Sequence, residues 1–229
     1  MVRVPLVPLI IILVLIFIIA GYAFSVFGIP GIRNENITSL TAVEIRDYEG
    51  ERLSSIADFR ENSIRGPQYI SPGDYRLNVT GLVDQPLSLT YEHVLDRYPH
   101  YNKKVTLFCV EGWDVTILWE GVLIGDVLAE AQVRPEATTV IFSAADGYST
   151  SLPLDYVRDR DIMMAYAMNG VTLPPERGFP FQLVAEDRWG YKWIKWITTI
   201  EVSADPTYHG YWESRGYSQD ANISRGFFD

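Results

Sequence analysis

Val105-Thr106-Leu107-Phe108-Cys109-Val110-Glu111-Gly112-Trp113-Asp114 is the stretch on which the reading of the chain turns. Its first half is continuous and β-rich, which predicts a strand over Val105 to Val110 covered on both faces. The strand ends at the only cysteine in 229 residues, and a glycine and two carboxylates follow at once. A single cysteine excludes an internal disulfide framework and any multi-cysteine zinc or iron–sulfur site. At a strand end facing a polar turn, its thiolate could be a soft metal ligand or a nucleophile; otherwise it is a buried small hydrophobe.

Strand signals spread outward from this segment. Tyr75, Leu77 and Val79 alternate with Arg76, Asn78 and Thr80 before Gly81, the pattern of a half-buried strand. Thr139 to Phe142 leads into Asp146-Gly147, and Ile162 to Met168 leads through Asn169-Gly170 to Val171. Both dipeptides predict hairpins, because their turns need φ > 0. Phe181 to Ala185 and Trp193 to Val202 read as further strands, the latter with Ile194, Trp196, Ile200 and Val202 on one face. Short helices are expected at Tyr91 to Arg97, Gly125 to Ala131 and Leu154 to Arg158. The class is α+β with strands dominant, not alternating βαβ.

Two further segments carry unusual side chains. Residues 177–195 hold four basic and two acidic groups, a local excess of positive charge in a chain whose net charge is −10. That suggests either a bound anion, such as a cofactor phosphate, or strand-edge lysines that block aggregation. Tyr208-His209-Gly210-Tyr211-Trp212-Glu213-Ser214-Arg215-Gly216-Tyr217 is an aromatic, glycine-bearing tail that walls a pocket or docks on the body.

The amino terminus differs in kind. From Val4 to Ile32 there is no charged residue, and Leu9 to Ala20 is apolar on every face. About 20 such residues span a bilayer, so residues 1–32 are read as a transmembrane anchor and residues 33–229 as one domain. A cleaved signal peptide is the alternative, although its apolar region is usually shorter. The weak bias of Arg3 against Arg33 favours an extracytoplasmic domain held at the cell membrane by a single pass. An acidic chain has no basic face for phosphate backbones, so nucleic acid is not an expected partner. No nucleotide-binding glycine signature or serine-hydrolase elbow occurs, and His93, His100 and His209 lack metal-ligand spacing.

Taken in order, Cys109-Val110-Glu111-Gly112-Trp113, Asn169-Gly170 with Leu173-Pro174, Gly178-Phe179-Pro180 and Gly190-Tyr191-Lys192 with Lys195-Trp196 resemble the molybdopterin-binding domain of the sulfite oxidase family. The likeness runs from about Asn62 to Asp220 and is greatest to the methionine sulfoxide reductase catalytic branch. It implies a strand-rich fold with short helices, and one molybdenum held by a pyranopterin dithiolene with Cys109 as sole protein ligand. It further implies that Arg177 and Lys195, helped by Lys192, hold the pterin and its phosphate. Tyr217 would be the active-site tyrosine, and Glu111 would relay protons or orient the site. Asn62, Ser63 and Ile64 fall where sulfite oxidases carry an Arg-Asn-His run, and Gly112, Trp113 and Asp114 fill positions of further arginines. Gln182 replaces a common arginine after Gly-Phe-Pro. An oxyanion would therefore lose counter-charges, and a neutral sulfoxide or N-oxide suits the pocket better, with Trp113 and Tyr217 as walls.

The chain stops soon after Tyr217, without the haem and dimerisation domains of sulfite oxidase. Electrons are then expected from a membrane haem or quinone-linked protein, or from a soluble cytochrome. No twin-arginine signal precedes the apolar run, which leaves a cytoplasmic domain open. Sulfite or sulfur-compound dehydrogenation on the same scaffold and a cofactor-free, membrane-tethered binding module are the alternatives.

Overall fold

A computed structural model describes residues 44–229, and the expected membrane span lies outside them. A small hairpin comes first, β1 (Asp47–Tyr48) and β2 (Glu51–Arg52), turned by Glu49 and Gly50 at φ +51° and +80°. Strands β3 (Leu77–Gly81) and β4 (Leu87–Leu89) follow, and then helix α1 (Tyr91–Arg97), where the Thr90 hydroxyl accepts from the His93 N–H. That bond satisfies one of the free amides of the first helical turn. Next come β5 (Tyr101–Phe108) and β6 (Asp114–Leu123), which pair antiparallel in unbroken register. Helix α2 (Ile124–Ala131), β7 (Thr139–Ala144), β8 (Ser149–Pro153) and helix α3 (Leu154–Asp159) continue the chain. It closes with β9 (Met163–Met168), β10 (Val171–Thr172), β11 (Gln182–Val184) and β12 (Ile197–Ser203).

These strands form two larger sheets. One has the order β10-β9-β6-β5, with β11 also beside β9; the other has the order β4-β3-β12-β7-β8. All pairings are antiparallel except β12 with β3. Val79, Phe142, Ile200, Ile117, Trp119 and Met164 are fully buried in one continuous core. Burial of that apolar surface is the dominant favourable term in the folding free energy.

The structure agrees with the strand-rich expectation, and helices stand at the three expected places. Asn169-Gly170 turns β9 into β10 with both residues at positive φ, +49° and +74°. Three expectations need correction. β5 is not covered on both faces, because Val105, Leu107 and Cys109 are buried while Thr106 and Phe108 are only half-buried. The strand expected from Trp193 begins at Ile197, since Trp196 takes φ +54° and breaks extended pairing. β6, the longest strand among the described residues, was not anticipated.

A bulge falls between Glu120 and Gly121 where β6 pairs with β9. A Cβ at Gly121 would lie 2.4 Å from the Met164 carbonyl oxygen and 2.7 Å from the Ala165 Cα. Backbone atoms cannot yield as a side-chain end does, so Gly121→Ala is expected to cost about 1–3 kcal/mol. Urea unfolding should show a lower midpoint at unchanged slope; a midpoint equal to wild type would mean that strands β6 and β9 part freely here.

Candidate active site

Turns from both large sheets line one cavity of about 360 Å³. The β5–β6 turn supplies Cys109, Val110 and Glu111, and the β7–β8 turn supplies Asp146 and Tyr148. Cys109 is held by its backbone: its N–H donates to the Trp113 carbonyl at 2.9 Å and its carbonyl accepts from Gly112 N–H at 3.0 Å. Gly112, at φ +84°, provides the left-handed residue that a three-residue hairpin loop requires. Behind the cysteine, a bridge from Phe108 to Trp189 brings Gly190 against the end of β5. A Cβ on Gly190 would sit 3.2 Å from the Phe108 carbonyl oxygen, so this close packing favours glycine.

The Cys109 thiol is 8% exposed, and burial pushes its pKa up. A backbone hydrogen bond from Glu111, the Asn62 amide and the positive charge of Arg60 act the other way, while the Glu111 carboxylate reinforces the rise. The Asn62 Nδ2 donates to Sγ at 3.7 Å. Glu111 itself accepts from the Trp113 indole N–H at 3.1 Å.

A second wall is basic. Arg177 donates through Nη2 to the Phe59 carbonyl at 2.9 Å and through Nη1 to the Arg60 carbonyl at 3.3 Å, with its guanidinium 4.9 Å from the Phe59 ring centroid. Lys195 donates to Glu61 Oε1 at 2.9 Å and to the Glu176 carbonyl at 3.2 Å, and lies over the Trp196 ring. Burial lowers the pKa of both cations. Burial raises that of Glu61, but hydrogen bonds from Lys195 and Ser63, with the charges of Lys195 and Arg177, leave it below the ordinary carboxylate value. Gln182, on β11, lines the same wall and is 3% exposed.

The structure thus brings Asn62, Ser63, Cys109, Glu111, Arg177, Gln182, Lys195 and Tyr217 to one cavity. Lys192 is the exception. Its ammonium is fully buried away from the cavity, 2.5 Å from Glu213 Oε1 and 3.0 Å from the Ser151 carbonyl. Thr150 adds a hydrogen bond to the same Glu213 oxygen at 2.6 Å. Buried outside the cavity lining and paired with that carboxylate, the ammonium does not reach a cofactor held in the cavity, so it is not among the residues that would hold a pterin. It acts on the site indirectly, because Glu213 lies between Trp212 and Tyr217, which wall the cavity. Tyr217 packs against Tyr191 and Trp212 with ring centroids 5.2 and 5.0 Å away.

Sequence reasoning passed over Phe59, Arg60, Asp146, Tyr148 and Trp193, which also line the cavity. Asp146 had a visible signal as a turn residue, and its carboxylate does accept from Tyr148 N–H at 2.9 Å. Arg60 stands two residues before Asn62, so a search for cations near Asn62 would have found it.

Among the described residues no group of three or more His, Cys, Asp or Glu side chains could hold a metal ion. The cavity offers a metal one thiol, and it offers an anionic carrier three cations, Arg60, Arg177 and Lys195, and two amides, Asn62 and Gln182. That donor set fits a metal arriving in a sulfur-donating, phosphate-bearing cofactor.

Comparison with known proteins bears on the same residues. The model of the oxidoreductase molybdopterin binding domain matches residues 64–212. The uncharacterized oxidoreductase YuiH of Bacillus subtilis is 38% identical over 152 residues, 66% of this chain and 76% of that protein. Rat mitochondrial sulfite oxidase is 31% identical over 189 residues, 69% of this chain but 34% of that enzyme. The sulfane dehydrogenase SoxCD of Paracoccus pantotrophus has a similar structure, with TM-score 0.61 and 29% identity over 68% of this chain and 43% of that one. With the match covering more than half its length, this chain belongs to the molybdopterin-binding oxidoreductases of the sulfite oxidase family, which work with a molybdopterin–molybdenum cofactor.

Proposed function

We propose that the enzyme reduces a neutral oxide, such as a sulfoxide or N-oxide, at a domain tethered outside the cytoplasmic membrane by residues 1–32. Residues 33–229 then form the catalytic domain. The observation that carries the reading is the polarity beside Cys109: an amide, a carboxylate and an indole, from Asn62, Glu111 and Trp113, with Arg60 a cation whose charge acts on the thiol. A small oxyanion is bound best by several converging charge-assisted donors, and this wall lacks them.

When bound, the cofactor supplies two-electron oxygen-atom transfer. For a sulfoxide the S=O bond breaks, two electrons and two protons are consumed, and the oxygen leaves as water. Cys109 would hold the metal as thiolate, a form that metal binding enforces on a thiol whose pKa burial has raised. Arg177, Lys195 and Gln182 would hold the pterin and phosphate, with Ser63 steadying Glu61 beside Lys195. Asn62 would donate to the oxide oxygen, and Glu111 would deliver protons. Trp113 and Tyr217 would exclude water and strengthen each of these contacts. Electrons would come from a membrane haem or quinone-linked protein, or from a soluble cytochrome. YedZ1 of Azospira oryzae, named as a putative protein-methionine-sulfoxide reductase subunit, is 31% identical over 149 residues, 65% of this chain and 56% of that protein, and supports the reductive direction.

Steady-state kinetics on cofactor-loaded, detergent-purified enzyme test this reading. Sulfoxide or N-oxide reduction by a reduced dye should exceed sulfite oxidation by at least about tenfold in kcat/KM. Rapid sulfite turnover with cytochrome c at low micromolar KM would overturn it in favour of the dehydrogenase.

A further inference from the structure

Arg60 lines the cavity, and its charge acts on the Cys109 thiol. It is exposed, and among the described residues its guanidinium makes no hydrogen bond, ion pair or aromatic contact. The neighbouring cations differ in having protein partners: Arg177 donates to the Phe59 and Arg60 carbonyls, and Lys195 to Glu61 and the Glu176 carbonyl. Nearby carboxylates are also engaged, Glu61 with Lys195, Glu111 with the Trp113 indole, and Asp58 with the Ser55 N–H. Because Arg177 pins the carbonyls of residues 59 and 60, the Arg60 backbone is held in place. A guanidinium offers five donors in a rigid fork matched to a carboxylate.

We infer that Arg60 is a substrate-binding residue that takes an anionic group, a carboxylate above all, on the same molecule whose neutral oxide reacts beside Cys109. The inference rests on the oxide-reductase reading and narrows its substrate class to oxides that carry a negative charge at some distance from the reacting oxygen. Asn62 meets the neutral end and Arg60 the charged end, so the cavity discriminates by charge separation within one ligand.

The experiment uses the loaded full chain, wild type and Arg60→Gln and Arg60→Lys, with two probes of equal size: methylsulfinylpropanoate and methylsulfinylpropanamide. Wild type should favour the carboxylate in KM, and that preference should fall on the order of tenfold in Arg60→Gln, be partly kept in Arg60→Lys, and weaken with salt. Calorimetric binding of both probes should show the same loss of charge preference. Binding that is equal for both probes in wild type, or an equal effect of Arg60→Gln on both, would overturn the assignment. Molybdenum and pterin per chain should not differ between variants; a drop in Arg60→Gln would give Arg60 to the cofactor phosphate and also overturn it. If the carboxylate binds in the Arg60-dependent way but neither probe is reduced, the anion site stands and the oxide-reductase reading fails.

Discussion

Replacing Cys109 by serine is expected to bring turnover down to background while the domain keeps its fold. The side chain is 8% exposed and differs from serine by one atom, and a hydroxyl there can still accept from the Asn62 amide. Neither packing nor hydrogen bonding gives reason for unfolding. The chemistry changes more, because a hard alkoxide is a poor substitute for a soft thiolate. Loss of an outer-shell partner typically costs about 10–100-fold, and loss of the only protein ligand should exceed that. Three readings check it: steady-state turnover, the Mo(V) resonance, and circular dichroism for the fold. A folded Cys109→Ser enzyme with unchanged turnover and resonance would refute the ligation.

Breaking the Lys192–Glu213 pair should have the largest effect on stability. Both side chains are at 0% exposure, and the carboxylate also takes the Thr150 hydroxyl. Removing one partner strands a buried charge, at a cost of about 3–5 kcal/mol. For a domain of this size that corresponds to a fall in Tm of roughly 6–20 °C for Lys192→Met or Glu213→Leu. Both substitutions together remove both charges, and most of the lost Tm should return, since an apolar pair of similar volume often replaces a buried ion pair without loss. Calorimetric scans of the four proteins decide it. Single variants melting within a degree or two of wild type would show that water reaches the pair.

Lys192 also shows where reading the sequence reaches its limit. That its segment is basic could be seen locally, but the partner that removes it from the cavity lies at Glu213, brought near only by the folded chain. Hairpins at Asn169-Gly170 and Asp146-Gly147 were legible because positive φ is a local demand met by few residues. β6 was not legible, since Val115, Ile117, Leu118, Trp119, Gly121 and Val122 are all buried and leave no alternation to detect. The start of β12 was hidden by Trp196, whose left-handed backbone nothing in its residue type announces. Cavity-lining residues carried by contiguous motifs, Cys109, Glu111 and Lys195, could be picked out from those motifs. Arg60 matched no motif; its nearness to Asn62 was the one local hint, and the cavity shows its place.

The position of β12 has a consequence for synthesis. It pairs with β3 on one side and β7 on the other, so the middle strand of its sheet is supplied by residues 197–203. While the chain emerges, β3 with β4 and β7 with β8 can close as separate hairpins, each exposing an unpaired edge where β12 will insert. Those edges stay open to wrong partners until residues 197–203 have left the ribosome, and sheets joined by such distant segments form slowly. A nascent chain whose residues 197–203 have not emerged should accordingly leave β3, β4, β7 and β8 protease-sensitive, and their emergence should protect both hairpins together.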